Sequence, residues 1–367
     1  MSNLPDSIQQ KIRNYRVGQE LKKAESHFYD TRYLNKRSDV FGKEVVAYWQ
    51  NHLGVRINPA WHYIYANYTG VEDVRFVPVE VWFSYIHDEL NQPIFYYPTF
   101  GDKNFIDLIF DRSVLPKTVF KCIRGSFYDE ENRPITKKEA LCRYTADEID
   151  KVSKPSMSSY GDRVLLIQIC NKTIYANREL RTTEQINKLL GDNYIVQYRV
   201  KQHKDLEKVY PHSLNTYRVN TLRLNGRIIE LLSTMKFGAG GKINDNHNDA
   251  FYCSINKNGE FNNNGCTRKC EPIILHPETQ VPFQSVGRVP SYKSIRELTK
   301  TLHSKIPHLD YASWDIAIDH KGNPIVIEVN SKTNITVTQL LCNKPFFEDY
   351  TEELLAFTKE RRAREIL

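Results

Sequence analysis

The segment that most constrains this chain lies near its C-terminus, where residues 314–330 read WDIAIDHKGNPIVIEVN. Two apolar runs flank the turn sequence HKGN, so the segment predicts a β-hairpin. With a four-residue loop, Asp319 faces Pro324, and Asp315 therefore faces Glu328. Side chains alternate across a strand, so one face is wholly apolar and must lie in a core. The residues of that predicted core face are Trp314, Ile316, Ile318, Ile325, Ile327 and Val329.

The opposite face of the hairpin carries Asp315, Glu328 and Asn330 together with Ala317 and Val326. Directly opposed carboxylates repel one another, and the small apolar neighbours indicate that this face is at least half covered. A divalent cation would relieve the repulsion, because hard ions take carboxylate and amide oxygens and magnesium also binds phosphates. The hairpin is therefore interpreted as a magnesium platform, with a solvent face of ordinary polar residues as the open alternative.

The 367 residues divide into stretches of different pattern. Residues 1–98 are mostly helical in pattern, and SDVFGKEVVAYWQNHLG at 38–54 places four apolar residues on one stripe before a glycine stop. Residues 99–200 mix short β-rich pieces with turns and a capped helix, TTEQINKLLG. Residues 201–367 are rich in strands, with helices expected near 291–306 and 346–365. No glycine-rich strand-to-helix turn indicates a dinucleotide-binding domain at the front.

Two lysines precede features suited to phosphate. Lys154 opens the small-residue loop KPSMSSYGD at 154–162, which can turn several backbone N–H groups toward an anion. Lys103 lies upstream in TFGDKNF. Taken singly, the loop could be a serine-rich surface turn, and Lys103 could be an ordinary exposed lysine. The loop is not a Walker A motif, because its lysine comes first and its glycine comes last.

Composition excludes several classes of protein. The net charge of +7 is mild and suits anionic small molecules or a lipid surface, whereas a nucleic-acid binder would concentrate its charge. The first residues have no apolar signal region, and no run approaches the length of a membrane-spanning helix. The 7 cysteines form no zinc or disulfide framework, so we expect free thiols in a cytoplasmic protein, with peripheral membrane attachment left open.

In chain order these motifs resemble the ATP-grasp superfamily, and within it the sugar-transfer-associated ATP-grasp proteins, which are linked to surface-polysaccharide synthesis. The features shared with that family are the Lys-Pro-Ser-x-Ser-Ser loop, the Asn-Thr-x-Arg strand (NTYRVNTLR), the Asp-Asn segment at 245–248 and the Trp-Asp-Ile-Ala-Ile hairpin. The resemblance covers about 75–355. It implies an α+β ATP-grasp fold in which two α+β lobes sandwich ATP, here 99–200 (small, with the phosphate loop) and 201–367 (large, with the magnesium site), behind a helical region 1–98.

The resemblance also implies site residues. Two ATP-binding lysines, Lys103 and Lys154, would hold the α- and β-phosphates. A loop with Ser158, Ser159 and Gly161 would close over the triphosphate. The lobe hinge, at Gln197 and Val200, would read adenine through its backbone, and His203 would bind ribose. Among the implied catalytic residues, Arg218 would face the γ-phosphate, Lys236 would stand where relatives often have arginine, and Asn246 would face the acceptor. The implied magnesium ligands are Asp315, Glu328 and Asn330.

The implied cofactors are ATP and one or two Mg²⁺ ions, which Mn²⁺ could replace. The implied activity is an ADP-forming carbon–nitrogen ligase that joins a carboxylate to an amine through an acyl-phosphate, on small substrates that could be sugar-linked. Two alternatives stay open: kinase-like phosphoryl transfer to a sugar or alcohol, and a non-enzymatic glycan- or RNA-binding protein, since the chain carries 22 tyrosines. The sequence leaves the substrates and the oligomeric state undetermined.

Overall fold

The computed structural model describes residues 37–91, 97–157, 163–245 and 249–364, together with the single positions 11, 15, 19, 33 and 35. Across these ranges, no helix is both long enough and apolar enough to cross a membrane. The described secondary structure is mixed, with two large antiparallel sheets preceded and followed by helices.

The chain begins with helices whose ends follow the sequence signals. α1 starts after Ser38, whose side chain accepts the N–H of Phe41, and it stops at the left-handed Gly54. Its apolar stripe is buried, as the spacing predicts. The helices of this part are α1 (Asp39–Leu53), α2 (Ala60–Thr69), α3 (Val79–Val81), which runs through a π-helical turn (Trp82–Ile86) into α4 (His87–Leu90), and α5 (Tyr97–Gly101).

The first sheet contains eight described strands in the order β3-β2-β1-β8-β4-β5-β6-β7. Its strands are β1 (Thr118–Ile123), β2 (Ser126–Tyr128), β3 (Pro134–Ile135), β4 (Lys151–Pro155), β5 (Leu165–Cys170), β6 (Thr173–Ala176), β7 (Glu179–Leu180) and β8 (Tyr194–Tyr198). Two helices with capping boxes cover it, α6 (Lys137–Tyr144) and α7 (Thr183–Leu190). The prediction that Thr182 or Thr183 caps α7 and that Gly191 ends it is confirmed, with Thr182 as the cap.

The second sheet runs in the order β14-β13-β12-β11-β9-β15-β16, with β10 paired to β9. A short helix, α8 (Lys204–Val209), precedes it and was not predicted. The strands are β9 (Thr216–Leu224), β10 (Arg227–Glu230), β11 (Ser233–Phe237), β12 (Phe251–Ile255), β13 (Phe261–Thr267), β14 (Pro272–Ile273), β15 (Tyr311–Ile318) and β16 (Pro324–Asn330). The remaining helices are α9 (Tyr292–Ser304), α10 (Thr336–Cys342) and α11 (Thr351–Arg364), so the last helix starts later than expected.

The hairpin of β15 and β16 has the predicted carboxylate pair but a different loop. Ile318, not Asp319, faces Pro324, and a β-bulge between Asp315 and Ile316 then shifts the register so that Asp315 faces Glu328. The extra residue on β16 is Ile327, which no β15 residue faces. The bulge therefore corrects the predicted core face: Val326 joins the core, Ile327 is only half-buried, and Ile325, which is paired with Ala317, lies on the opposite face.

The two faces of the second sheet have different partners. One face packs with α9 in the largest apolar core, which includes Trp314, Ile316 and Val329. At one end of the opposite face, Leu222 and Tyr311 pack against the N-terminal helices and α11. The rest of that opposite face is mostly polar, with Ala317 and Ile325 near the hairpin turn, and it holds the predicted hairpin carboxylates.

Candidate active site

Strand pairing assembles a continuous row of charged side chains on the second sheet. Arg218 on β9 is paired with Asp315 on β15, and Asp315 is paired with Glu328 on β16. Paired residues of adjacent strands project from the same face, and so do residues two positions apart along one strand. We call this face the polar face, and its members are Thr216, Arg218, Asn220, Lys236, Ser313, Asp315, Glu328 and Asn330.

Asp315 is the centre of the charge network. Its Oδ1 accepts a hydrogen bond from Arg218 Nε (2.8 Å), and its Oδ2 accepts one from Arg218 Nη2 (2.8 Å) and one from Lys236 Nζ (2.9 Å). Burial alone would raise the pKa of Asp315, but Arg218 and Lys236 outweigh it and hold the pKa well below its usual range. Asp315 is therefore a permanent anion, and both neighbouring cations are paired with it.

A second cluster joins the first sheet to the polar face. Lys103 Nζ lies 4.0 Å from Glu328 Oε2, and the Lys103 backbone N–H donates to Ser156 O (3.0 Å) at the end of β4. Lys154 is the last but one residue of β4, and it is buried beside Lys103 and Glu328. Burial and the charge of Lys103 lower the pKa of Lys154 to about 7, although Glu328 opposes the shift. The structure thus brings together both predicted phosphate lysines and one predicted metal ligand.

The donor set at the hairpin fits a hard divalent cation. Asp315 and Glu328 face each other, and the Asn330 side chain makes no hydrogen bond with a described residue, with its Nδ2 buried. Asp315 Oδ1 accepts one hydrogen bond only, so it keeps a lone pair for a cation. The repulsion between Asp315 and Glu328, which motivated the metal prediction, is however already offset by Lys103, Arg218 and Lys236. The metal assignment therefore stays a prediction, supported by the chemistry of the donor set.

The predicted hinge lies where β8 leaves the first sheet. Gln197 is buried, and its Nε2 donates to Pro116 O (3.4 Å). The backbone N–H and C=O of Val200 have no partner among the described residues, which suits a backbone that reads a ligand. His203 N–H donates to Ile318 O (2.8 Å), and its Nδ1 accepts the Asp205 N–H (3.3 Å) as the cap of α8. The ribose role of His203 stays a prediction, and its Nδ1 is already in use.

Four predicted site residues lie outside the described residues. They are Ser158, Ser159 and Gly161 of the phosphate loop, and Asn246 of the acceptor side.

Sequence reasoning missed two residues of the site. Asp245 is buried, it accepts hydrogen bonds from the N–H (2.8 Å) and the hydroxyl of Thr216, and it lies 3.6 Å from Lys236 Nζ. Tyr252 on β12 is paired with Lys236, and its hydroxyl has no hydrogen-bond partner among the described residues. Asp245 adjoins the predicted Asn246, which was the available signal, whereas nothing in the sequence around Tyr252 singled it out.

Comparison with known proteins agrees with this architecture. The model of the family described as "Sugar-transfer associated ATP-grasp" matches residues 85–351. Among curated proteins, none matches the sequence.

Similar solved structures include three ligases or synthetases. The L-amino acid ligase from Bacillus licheniformis is 13% identical, with a TM-score of 0.35, over 66% of this chain and 42% of that one. A D-cycloserine synthetase is 14% identical, with a TM-score of 0.39, over 74% and 73%. The D-alanyl-alanine synthetase A from Vibrio cholerae is 11% identical, with a TM-score of 0.40, over 72% and 65%. The chain thus spans less than half the length of the first of these enzymes.

Proposed function

Because the chain belongs to the sugar-transfer-associated ATP-grasp family, we propose that it is an ATP-dependent carboxylate–amine ligase. It forms an acyl-phosphate and ADP from an acid and ATP, and an amine then displaces phosphate. The acid or the amine belongs to a sugar or surface-polysaccharide precursor, and the partner is an amino acid or a simple amine. The enzyme works in the cytoplasm, a location that its free cysteines support.

One observation carries this proposal: four cationic side chains converge on the opposed carboxylates. Lys103, which precedes β1, and Lys154 on β4 lie beside Glu328, while Arg218 and Lys236 bind Asp315 from within the second sheet. A triphosphate needs such a concentration of positive charge, and a buried setting strengthens it. The alternation of acids and bases keeps the site stable before any nucleotide arrives.

The chemistry assigns a part to each group. A carboxylate oxygen of the acid attacks the γ-phosphorus, the bond from phosphorus to the ADP oxygen breaks, and Arg218 and Lys154 offset the transferred charge. The amine nitrogen then attacks the acyl carbon, the bond from carbon to the phosphate oxygen breaks, and the amine loses a proton to solvent. Lys236, held between Asp315 and Asp245, stabilises the acyl oxygen.

Magnesium would be held by Asp315, Glu328 and Asn330. When bound, it would supply positive charge that offsets the negative charge of the phosphates. The substrates are otherwise positioned by the side chains of this protein.

The decisive experiment screens candidate acids and amines with Mg·ATP, measures ADP release and identifies products by mass spectrometry. Hydroxylamine replaces the amine in a parallel reaction, since it traps an acyl-phosphate as a hydroxamate. We expect an amide, free phosphate and a hydroxamate with the correct acid, and none of them with Glu328→Gln. A phosphorylated sugar or alcohol without free phosphate would instead identify a kinase. Nucleotide-independent binding of glycan or RNA without ADP release would refute enzymatic function.

A further inference from the structure

Four side chains occupy the corners of a square on the polar face. On β15, Ser313 and Asp315 are two residues apart, and on β16, Asn330 and Glu328 are two residues apart. Ser313 is paired with Asn330, and Asp315 is paired with Glu328. Directly paired residues have Cβ atoms about 4.5–5.5 Å apart. Three corners are the predicted magnesium ligands, and the fourth is a serine to which no role has been assigned.

The Ser313 hydroxyl is buried and has no hydrogen-bond partner among the described residues. The Nδ2 of Asn330, the residue paired with Ser313, is also buried and has no hydrogen-bond partner among the described residues. The polar groups closest to Ser313 have other partners: Asn220 Nδ2 donates to Leu232 O (2.7 Å), and the Tyr311 hydroxyl is engaged with Asn220 Oδ1 (2.9 Å) and Thr333 Oγ1 (2.5 Å). The unpartnered groups are therefore confined to the side of the square that adjoins the carboxylates.

A buried hydroxyl without a partner is costly, so its retention calls for a ligand atom that completes its hydrogen bonding. A metal ion on the three oxygen donors supplies such an atom, because magnesium usually keeps several of its waters. A hydroxyl at the fourth corner can accept a hydrogen bond from one of those waters and fix its orientation.

We propose that Ser313 is a positioning residue of the divalent-cation site, with its hydroxyl bonded to a water that the cation retains. This inference rests on the proposed function, since it takes Asp315, Glu328 and Asn330 as ligands. Outer-shell partners of this kind typically change metal affinity about 10–100-fold when they are removed.

The test measures Mn²⁺ binding to the whole protein in the presence of saturating ADP, by electron paramagnetic resonance of the free ion. Ser313→Ala is expected to weaken Mn²⁺ binding at least about 10-fold and to lower the water-proton relaxation enhancement of the bound ion. ADP affinity without metal, and the melting temperature without ligands, should not fall. Ser313→Cys, which keeps the size but accepts hydrogen bonds poorly, should match the alanine variant.

Ser233→Ala is the matched control, because Ser233 is also buried, on β11 two strands away in the same sheet, but its hydroxyl already donates to Leu231 O (3.1 Å). This control should lower the melting temperature and leave Mn²⁺ affinity unchanged. Wild-type Mn²⁺ affinity in both Ser313 variants, with affinity lost in Glu328→Gln, would overturn the role of Ser313 and leave the metal site standing. Wild-type affinity in Glu328→Gln would overturn the metal site itself, and equal losses in the Ser313 and Ser233 variants would assign the effect to folding.

Discussion

Replacing Asp315 with asparagine tests whether this carboxylate neutralises the buried cations of the polar face. The substitution keeps the size of the side chain and removes the charge that Arg218 and Lys236 share through three hydrogen bonds. The side chain of Lys236 is 1% exposed and that of Arg218 is 20% exposed, so water cannot replace the lost partner at Lys236. Removing one partner of a buried ion pair typically costs about 3–5 kcal/mol.

That loss converts into a measurable change in melting temperature. An unfolding entropy of ~2.1 cal/mol/K per residue gives about 0.8 kcal/mol/K for the whole chain, so Asp315→Asn should melt about 4–7 °C lower without ligands. Differential scanning calorimetry measures the change. The double variant Asp315→Asn/Lys236→Met should recover part of the loss, because it removes one of the two cations whose hydrogen bonds to Asp315 were lost.

Glu328→Gln is the control for this experiment. Glu328 contacts Lys103 at 4.0 Å with a side chain that is 21% exposed, and such a pair contributes only about 0–1 kcal/mol. Its melting temperature should therefore stay within about 1 °C of wild type. If Asp315→Asn were as stable as Glu328→Gln, the view that Asp315 neutralises two buried cations would be wrong.

Three further predictions concern buried side chains. The pKa of Lys154 is about 7 in the folded protein and 10.5 in the reference state, so the unfolded chain binds the extra proton between these values and wild-type stability should rise across that pH window. Urea unfolding should show this rise in wild type and not in Lys154→Met. Burial raises the pKa of Glu80 from 4.5 to about 7, so wild-type stability should fall over that interval while Glu80→Gln loses the dependence, as melting across pH would reveal. Trp82 is fully buried against Tyr311 and Phe347, and Trp82→Ala should cost about 3–5 kcal/mol in urea unfolding, whereas a loss under 1 kcal/mol would contradict the tight packing.

The hairpin shows what an alternating pattern can and cannot predict. The register of Asp315 and Glu328 is confirmed, although Asp319 does not face Pro324 as predicted. The loop closes through the Asp319 N–H on Asn323 O, which leaves a turn of three residues instead of four, and the extra residue Ile327 on β16 compensates for the shorter turn. Val326 and Ile327 are both apolar, so an alternating pattern does not reveal which of them is the extra residue of β16.

Long-range pairing explains the residues that the sequence did not reveal. Tyr252 comes beside Lys236 only because β12 pairs with β11, and Asp245 reaches Thr216 from 29 residues away. The N-terminal helices were predicted from their own apolar stripes. The sheet residue against which they pack, Leu222, however lies more than a hundred residues further along the chain. Local periodicity specifies the element and its apolar side, whereas the partner depends on the tertiary fold.

The two ends of the charge network should respond differently to a nucleotide. At Asp315 the carboxylate is already bound by two cations, Arg218 and Lys236, which hold it ionised. At the other end Lys154 has a pKa of about 7, since Lys103 and burial disfavour its charge more than Glu328 favours it. An incoming phosphate therefore gains most at Lys154, where its negative charge restores the proton that burial disfavours. A divalent cation gains most at the hairpin, where the unpartnered groups of Ser313 and Asn330 adjoin two carboxylates. Under the proposed function, phosphate and metal would thus be drawn to neighbouring but distinct places, phosphate to Lys154 on β4 and the metal to the hairpin of the second sheet.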